Sequence, residues 1–472
     1  MEMARASQEL AKIHQEHLLK WVKELPEPQR VSLLEQVEKL DFKNIPQWVE
    51  QYVKGEGSLK VPDQFEPAPA YPAAANGPEL TAKYKKATEL GEKLIRQGKV
   101  AGFVVAGGQG TRLGFDGPKG NFPISPIRKK TLFQIFAENL LAASTKYGVT
   151  IPLYIMTSPL NYAATVEIFE SAGYYGMKKS DVVIFQQGTL PNFGFDGRIL
   201  MAGKGEIATS PDGHGGSLKA LYVSGAVNDM RRRGVEYLSY WQVDNPLVKL
   251  VDPLFVGLHV MDGAEMSSKA LKKVGPLEKV GNFCRVDGKI TVIEYSDLPD
   301  EAAMRRNADG SLAFEMGSIG IHLISAGFIE RLNAGGDFLL PFHKAIKKIP
   351  HVDEQGRPVT PEKPNGVKLE TFVFDALPLA SNSIVLETLR EEEFAPVKNA
   401  TGTDSAEVTE RMMIARAAAW LEAAGVHVPR KADGAADCVI EMAASFALSA
   451  EDVAAKKGKL KPIKAGEKIC LE

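Results

Sequence analysis

The chain has 472 residues, above the usual ceiling for a single hydrophobic core, so two or three domains are expected. Hydrophobic residues at 44% and charged residues at 25% are those of a globular protein, and a formal net charge of -2 gives no electrostatic case for a nucleic-acid or membrane partner. Any anion binding must therefore be local.

In chain order, residues from about 5 to 55 read as helical. Leu10, Ile13, His17/Leu18, Trp21 and Leu25 recur at helical spacing, and Val31, Leu34, Val37 and Leu40 follow the Pro26-Glu27-Pro28 break. His14 and His17 lie close on that helix, but no third ligand is visible, so solvated or interfacial histidines are expected rather than a metal site. The stretch from Val61 to Pro78, with Pro62, Pro67, Pro69 and Pro72, reads as an extended connection. From about 98 to 390 the pattern is strand, loop, helix, repeated. Apolar strands are expected at 101–106, 153–156, 182–185 and 237–241, with a helix over 131–147. Asp287-Gly288 marks a hairpin between 283–286 and 290–293. A last helix is expected over 408–424. The fold class is then α/β: a mixed, largely parallel sheet covered by helices, with a helical N-terminal lobe and a small C-terminal lobe. The expected boundaries are 1–95, 96–395 and 396–472. Cys284, Cys438 and Cys470 lack metal-ligand spacing and fit a reducing compartment. With no apolar signal core and no membrane-length stretch, a cytoplasmic location is expected.

Chemistry concentrates after the first strand, in Ala106-Gly107-Gly108-Gln109-Gly110-Thr111-Arg112-Leu113-Gly114 with Pro118-Lys119-Gly120. Glycines let a ligand approach the main chain, and converging N–H groups suit an anion. Arg112 and Lys119 add two cations. The pattern is not a Walker A loop, because Lys119 precedes Gly120 and no hydroxyl follows. Nor is it a dinucleotide fingerprint, because Gly108, Gly110 and Gly114 leave one residue too many. The element reads as a nucleoside triphosphate cradle, against the plainer reading of a glycine-rich turn.

Other candidates sit at strand ends, where open α/β sheets gather ligands. Gln186-Gln187-Gly188 offers an amide able to read a pyrimidine edge, although such a pair is more often structural. The loop Ser210-Pro211-Asp212-Gly213-His214-Gly215-Gly216 is either a surface for a base or sugar or a solvent turn. His214 within it is an acid–base group, a phosphate donor or a polar loop residue. Asp244-Asn245 ends a strand with a carboxylate suited to Mg²⁺. Lys368 and Lys398 are late cations that could equally be solvated.

Together these motifs resemble the UDP-sugar pyrophosphorylase superfamily, and within it most closely the UDP-N-acetylglucosamine pyrophosphorylases. The match includes the glycine loop, Phe185-Gln186-Gln187-Gly188, Phe195-Asp196-Gly197, Val243-Asp244-Asn245, Arg285-Val286-Asp287-Gly288 and Glu294-Tyr295-Ser296. It continues through Lys363-Pro364-Asn365-Gly366 and Val397-Lys398-Asn399-Ala400, and begins at Gln15-Glu16-His17-Leu18-Leu19. The resemblance implies transfer of uridylyl from UTP to a sugar 1-phosphate, with Mg²⁺. It implies that Ala106, Gly107, Gly108, Gly110, Thr111, Gln187 and Gly213 hold the nucleotide, and that Arg112 and Lys119 bind the triphosphate. Asp244 would bind the metal. Gly281, Glu294, Ser318 and His214 would face the sugar, with Lys368 and Lys398 on its phosphate. Two departures bear on the sugar: His214 and Gly317-Ser318-Ile319 stand where the acetylglucosamine enzymes usually have Asn and Gly-Asn-Ile. N-acetylglucosamine 1-phosphate is the expected acceptor, with glucose 1-phosphate or a broader range as the alternative. A nucleotide-binding regulator without catalysis is the alternative from another class.

Overall fold

The computed structural model describes residues 1–472 apart from Glu56, residues 58–60 and Asp337. The chain divides into two compact units, each assembled from separated segments.

The larger unit comprises residues 61–186, 218–338 and 376–472. Its mixed sheet runs in the order Glu66–Pro67, Gly281–Val286, Met316–Ser325, Tyr237–Gln242, Val100–Val105, Leu153–Thr157, Val182–Gln186. The last four strands are parallel neighbours. They are nearly continuous runs of apolar residues because helices cover both faces, leaving no solvent side for polar alternation. From Val100–Val105 the chain passes first to Leu153–Thr157 on one flank and later to Tyr237–Gln242 on the other. The carboxyl end of Val100–Val105 is thus the switch point at which such sheets open a crevice. The remaining pairings along this path are antiparallel. Met266–Lys272 joins Met316–Ser325 antiparallel and Val385–Glu387 parallel. The expected hairpin turns through Asp287 and Gly288 with φ of 48° and 78°, the left-handed pair that a two-residue hairpin requires. The expected helix is Leu132–Tyr147, capped by the Thr131 hydroxyl on the Gln134 N–H. The proline-rich connection also supplies an edge pairing, Glu66–Pro67 against Arg285 and Cys284.

Two helices of this unit, Pro78–Arg96 and Pro253–Met261, pack with unusually close backbones. A Cβ on Gly257 would overlap the Ala87 carbonyl, and one on Gly91 would overlap the Pro253 carbonyl. Gly257→Ala is expected to destabilise the protein by about 3 kcal/mol, since the helices must part to admit one methyl group. Urea denaturation followed by circular dichroism measures this, and an unshifted midpoint would refute it.

The C-terminal part of the same unit has its own apolar cluster (Ala418, Leu421, Val428, Ile440, Val453, Ile463). It contains the helix Ala406–Ala423 and a parallel pair, Val439–Met442 with Lys468–Leu471.

The smaller unit comprises residues 1–60, 187–217 and 339–375. Strand Gly366–Thr371 pairs antiparallel with Phe342–Lys347 and with Phe193–Gly194. Leu10, Leu18, Trp21, Leu33, Val37 and Trp48 share a core with Phe193, Phe342, Val367 and Leu369. The helical stripe differs from the expected one. In Glu27–Glu38 the buried residues are Leu33 and Val37, while Val31 is 48% exposed. The first helix stops at Lys12 rather than running on to Leu25. Gln15 then clamps the main chain, its amide donating to the Gly197 carbonyl (3.0 Å) and its oxygen accepting from the Ile199 N–H (2.8 Å). His17 adds a 2.8 Å bond between Nε2 and the Ile199 carbonyl. His17 is therefore an interfacial histidine, and the described residues contain no cluster of three or more metal-ligating side chains. No helix among them is long and apolar enough to cross a membrane.

Candidate active site

In the larger unit, the loop after Val100–Val105 is held open by its own main chain. The Lys119 N–H donates to the Gly108 carbonyl (3.1 Å) and the Gly110 N–H to the Gly117 carbonyl (2.9 Å). Asn161, almost fully buried, donates its amide to the Ala106 carbonyl (2.9 Å) and the Gly108 carbonyl (3.3 Å). Its own oxygen accepts from the N–H and hydroxyl of Ser158. With the carbonyls turned inward to these bonds, the N–H groups of Gly107, Gly108 and Gln109 have no partner among the described residues. A Cβ on Gly108 would meet no protein atom within 4 Å, so packing does not require glycine there, and the main chain is open to close approach. Arg112 and Lys119 have no carboxylate partner among the described residues. The loop therefore presents donors and two uncompensated cations together.

Asp244 lies beside this loop, because the Val243 N–H donates to the Val105 carbonyl (3.1 Å). Its side chain is 9% exposed, yet it has no hydrogen-bond or salt-bridge partner among the described residues. A nearly buried carboxylate without a protein donor is available to a cation. Mg²⁺, which keeps several waters and shares phosphate oxygens, suits one such ligand. The Asn245 side chain is already engaged. Its amide donates to the Glu393 carbonyl (2.7 Å), and its oxygen accepts from the Ala395 N–H (3.1 Å). These bonds and the Val397 N–H on the Asp244 carbonyl (2.8 Å) bring Lys398 to the same strand end.

Gly281 and Ser318 face each other across paired strands, and a Cβ on Gly281 would lie 3.1 Å from Glu294 Oε1. The three residues expected to face a sugar thus form one group. The Gln242 side chain packs on Gly320, linking this group to the Asp244 strand.

In the smaller unit, Gln187 donates to Asp212 Oδ1 (3.0 Å) and to the Gly213 carbonyl (3.2 Å). Both amide protons are thereby engaged, and Oε1 remains an acceptor. Gly213 has φ of 87°, and a Cβ there would overlap the Thr371 carbonyl and approach the Thr371 nitrogen to 2.7 Å. The loop is pinned there: Thr371 donates both its N–H and its hydroxyl to the Asp212 carbonyl, each at 2.8 Å. His214 Nδ1 accepts from the Val373 N–H (3.1 Å), which leaves the proton on Nε2. Its ring stacks on Phe372 with centroids 5.0 Å apart. Burial, with a smaller contribution from His343, pushes its pKa down to about 4, so the imidazole is neutral at physiological pH. Lys368 is partly exposed on the Gly366–Thr371 strand, on the face opposite Val367 and Leu369. The sequence reading passed over Asn161, Asp212 and Thr371. Each acts through hydrogen bonds to residues distant in sequence, which leave no periodic signal.

Residues 50–457 match the family model described as UTP–glucose-1-phosphate uridylyltransferase. The chain belongs to that family. It is a nucleotidyltransferase of the UDP-sugar pyrophosphorylase type. Family members similar to it include the UDP-N-acetylhexosamine pyrophosphorylase-like protein 1 of Xenopus tropicalis, 38% identical over 88% of this chain and 83% of that protein. The UDP-N-acetylglucosamine pyrophosphorylase of Saccharomyces cerevisiae is 37% identical over 81% of each chain. Among solved structures, the uridine diphosphate N-acetylglucosamine pyrophosphorylase of Trypanosoma brucei, in complex with inhibitor, superimposes with a TM-score of 0.82 at 27% identity. That superposition covers 97% of this chain and 95% of that one.

Proposed function

We propose that this protein catalyses UTP + N-acetylglucosamine 1-phosphate ⇌ UDP-N-acetylglucosamine + pyrophosphate. The carrying observation is the cradle itself: unpartnered N–H groups at Gly107–Gln109 and two unpaired cations, beside the unpaired Asp244 carboxylate. A phosphate oxygen of the sugar attacks the α-phosphorus of UTP, the new P–O bond forms in line, and the bond to pyrophosphate breaks. The nucleophile is already an anion, so no side chain need abstract a proton. The barrier lies in bringing two anions together, which positioning and charge neutralisation lower.

In this reading the N–H groups of Gly107 and Gly108 and the loop through Gly110 and Thr111 bind phosphate oxygens. Arg112 and Lys119 spread the charge of the departing pyrophosphate. Gln187 Oε1 accepts from the uracil N3–H, and Gly213 gives the base a flat main chain to lie on. In the larger unit Lys398 steadies the incoming phosphate, while Gly281, Glu294 and Ser318 contact the sugar. Asp244 would hold Mg²⁺, which when bound neutralises phosphate charge.

Pyrophosphate release with UTP and a panel of sugar 1-phosphates tests the reaction. We expect kcat/KM for N-acetylglucosamine 1-phosphate to exceed that for glucose 1-phosphate. A strong preference for glucose would reverse the sugar assignment. No turnover of any sugar phosphate despite UTP binding would favour a regulator.

A further inference from the structure

The C-terminal segment bonds the short excursion that follows the glycine loop through a buried carboxylate. Glu441, on the Val439–Met442 strand, is 6% exposed, and its Oε2 accepts from two successive main-chain donors: the Ile127 N–H (2.7 Å) and the Arg128 N–H (2.8 Å). Residues 127 and 128 form the tip of a small excursion closed by Ile124 N–H on the Lys130 carbonyl (2.9 Å) and Leu132 N–H on the Phe122 carbonyl (3.2 Å). The bonding continues back into the cradle, from Phe122 N–H to the Lys119 carbonyl (2.9 Å) and from Lys119 N–H to the Gly108 carbonyl (3.1 Å). Two ion pairs flank the tip, Arg128 with Glu472 (3.1 Å) and Lys129 with Glu410 (2.6 Å). Both are largely solvated and contribute little. A buried carboxylate bonded to two N–H groups is much stronger, because losing it strands both donors.

We propose that Glu441 is a positioning residue for the phosphate loop: by anchoring the 123–131 excursion it sets where the Lys119 side chain lies. The proposal rests on the reading of Lys119 as a pyrophosphate-binding cation. It gives the C-terminal segment a part in catalysis without contact with substrate. Misplacing a binding group by about 1 Å can cost a hundredfold in rate, so a positional fault at Lys119 is expected to be measurable.

The test is a double-mutant cycle on the full chain. Glu441→Ala should lower kcat/KM for UTP at least tenfold, and Glu441→Gln, which keeps a neutral acceptor, should recover most of that loss. In a Lys119→Ala background the same Glu441→Ala change should cost less than threefold, because the group it positions is gone. Equal losses in both backgrounds, or a loss below twofold in the parent, would overturn the proposal. If Glu441→Ala fails to fold, Glu441→Asp, one methylene short of the two amides, enters the same cycle. Hydrogen exchange separates this proposal from the reaction assigned above. Amides 107–122 should exchange faster in the Glu441 variant even if the parent releases no pyrophosphate, and unchanged exchange would refute the anchor.

Discussion

Lys119→Ala is expected to reduce uridylyl transfer by about a hundredfold or more with no loss of fold. Removing one preorganised charge from a phosphoryl-transfer site typically costs on the order of 3 kcal/mol of transition-state stabilisation. The site is organised so that little else changes. The bond from Lys119 to the Gly108 carbonyl uses the main-chain N–H, which alanine keeps. The side chain has no carboxylate partner among the described residues, so its removal strands no buried charge. The loss should fall mainly on kcat, because pyrophosphate gains negative charge as its bond to the α-phosphorus breaks. Steady-state kinetics with UTP varied, alongside a thermal melt, reads both quantities. Near-normal turnover would remove Lys119 from the site.

Asp244→Asn is expected to have a comparable effect for a different reason. Asparagine fills the same volume, and the native carboxylate makes no hydrogen bond or salt bridge that the amide would break. Stability should therefore stay the same, or rise slightly as an almost buried charge is removed. Turnover should fall about a hundredfold or more, and the Mg²⁺ concentration giving half-maximal rate should rise. Titrating Mg²⁺ against rate in parent and variant checks this. An unchanged Mg²⁺ dependence with intact turnover would place the metal elsewhere.

The strands of the larger unit were legible in the sequence because burial on both faces makes them nearly uninterrupted apolar runs, as in Val100–Val105 and Leu153–Thr157. The Asp287-Gly288 turn was legible because so few residue pairs accept two left-handed conformations in succession. The stripe on Glu27–Glu38 differs because Leu33 and Leu34 are adjacent, so spacing alone suits either phase, and what packs on the helix, including Glu206–Ile207, decides between them. Strands Phe342–Lys347 and Gly366–Thr371 of the same core are not legible either. Their lysines and histidine mask any alternation, and their partners are distant in sequence. At the candidate site, the sequence singles out Lys119 and Asp244 by the kind of charge that phosphate chemistry needs. Asn161 and Asp212 are not singled out, because their importance lies in which carbonyl or amide each one ties.

The discontinuous smaller unit also bears on how the chain is made. Leu10, Leu18 and Trp21 emerge early in synthesis, but the strand that carries Val367 and Leu369 emerges only after a further 350 or so residues. At about 5–20 residues per second, that delay is on the order of tens of seconds. During it, the apolar N-terminal segment is covered only in part, by Phe193, Ile199, Met201 and Ile207 once these have emerged. Folding of this unit can then be completed only after translation has passed residue 371, later than the parallel strands between 100 and 186. Expression of the protein should accordingly depend on whatever shields nascent N-terminal segments from aggregation, and less on the intrinsic stability of the finished fold.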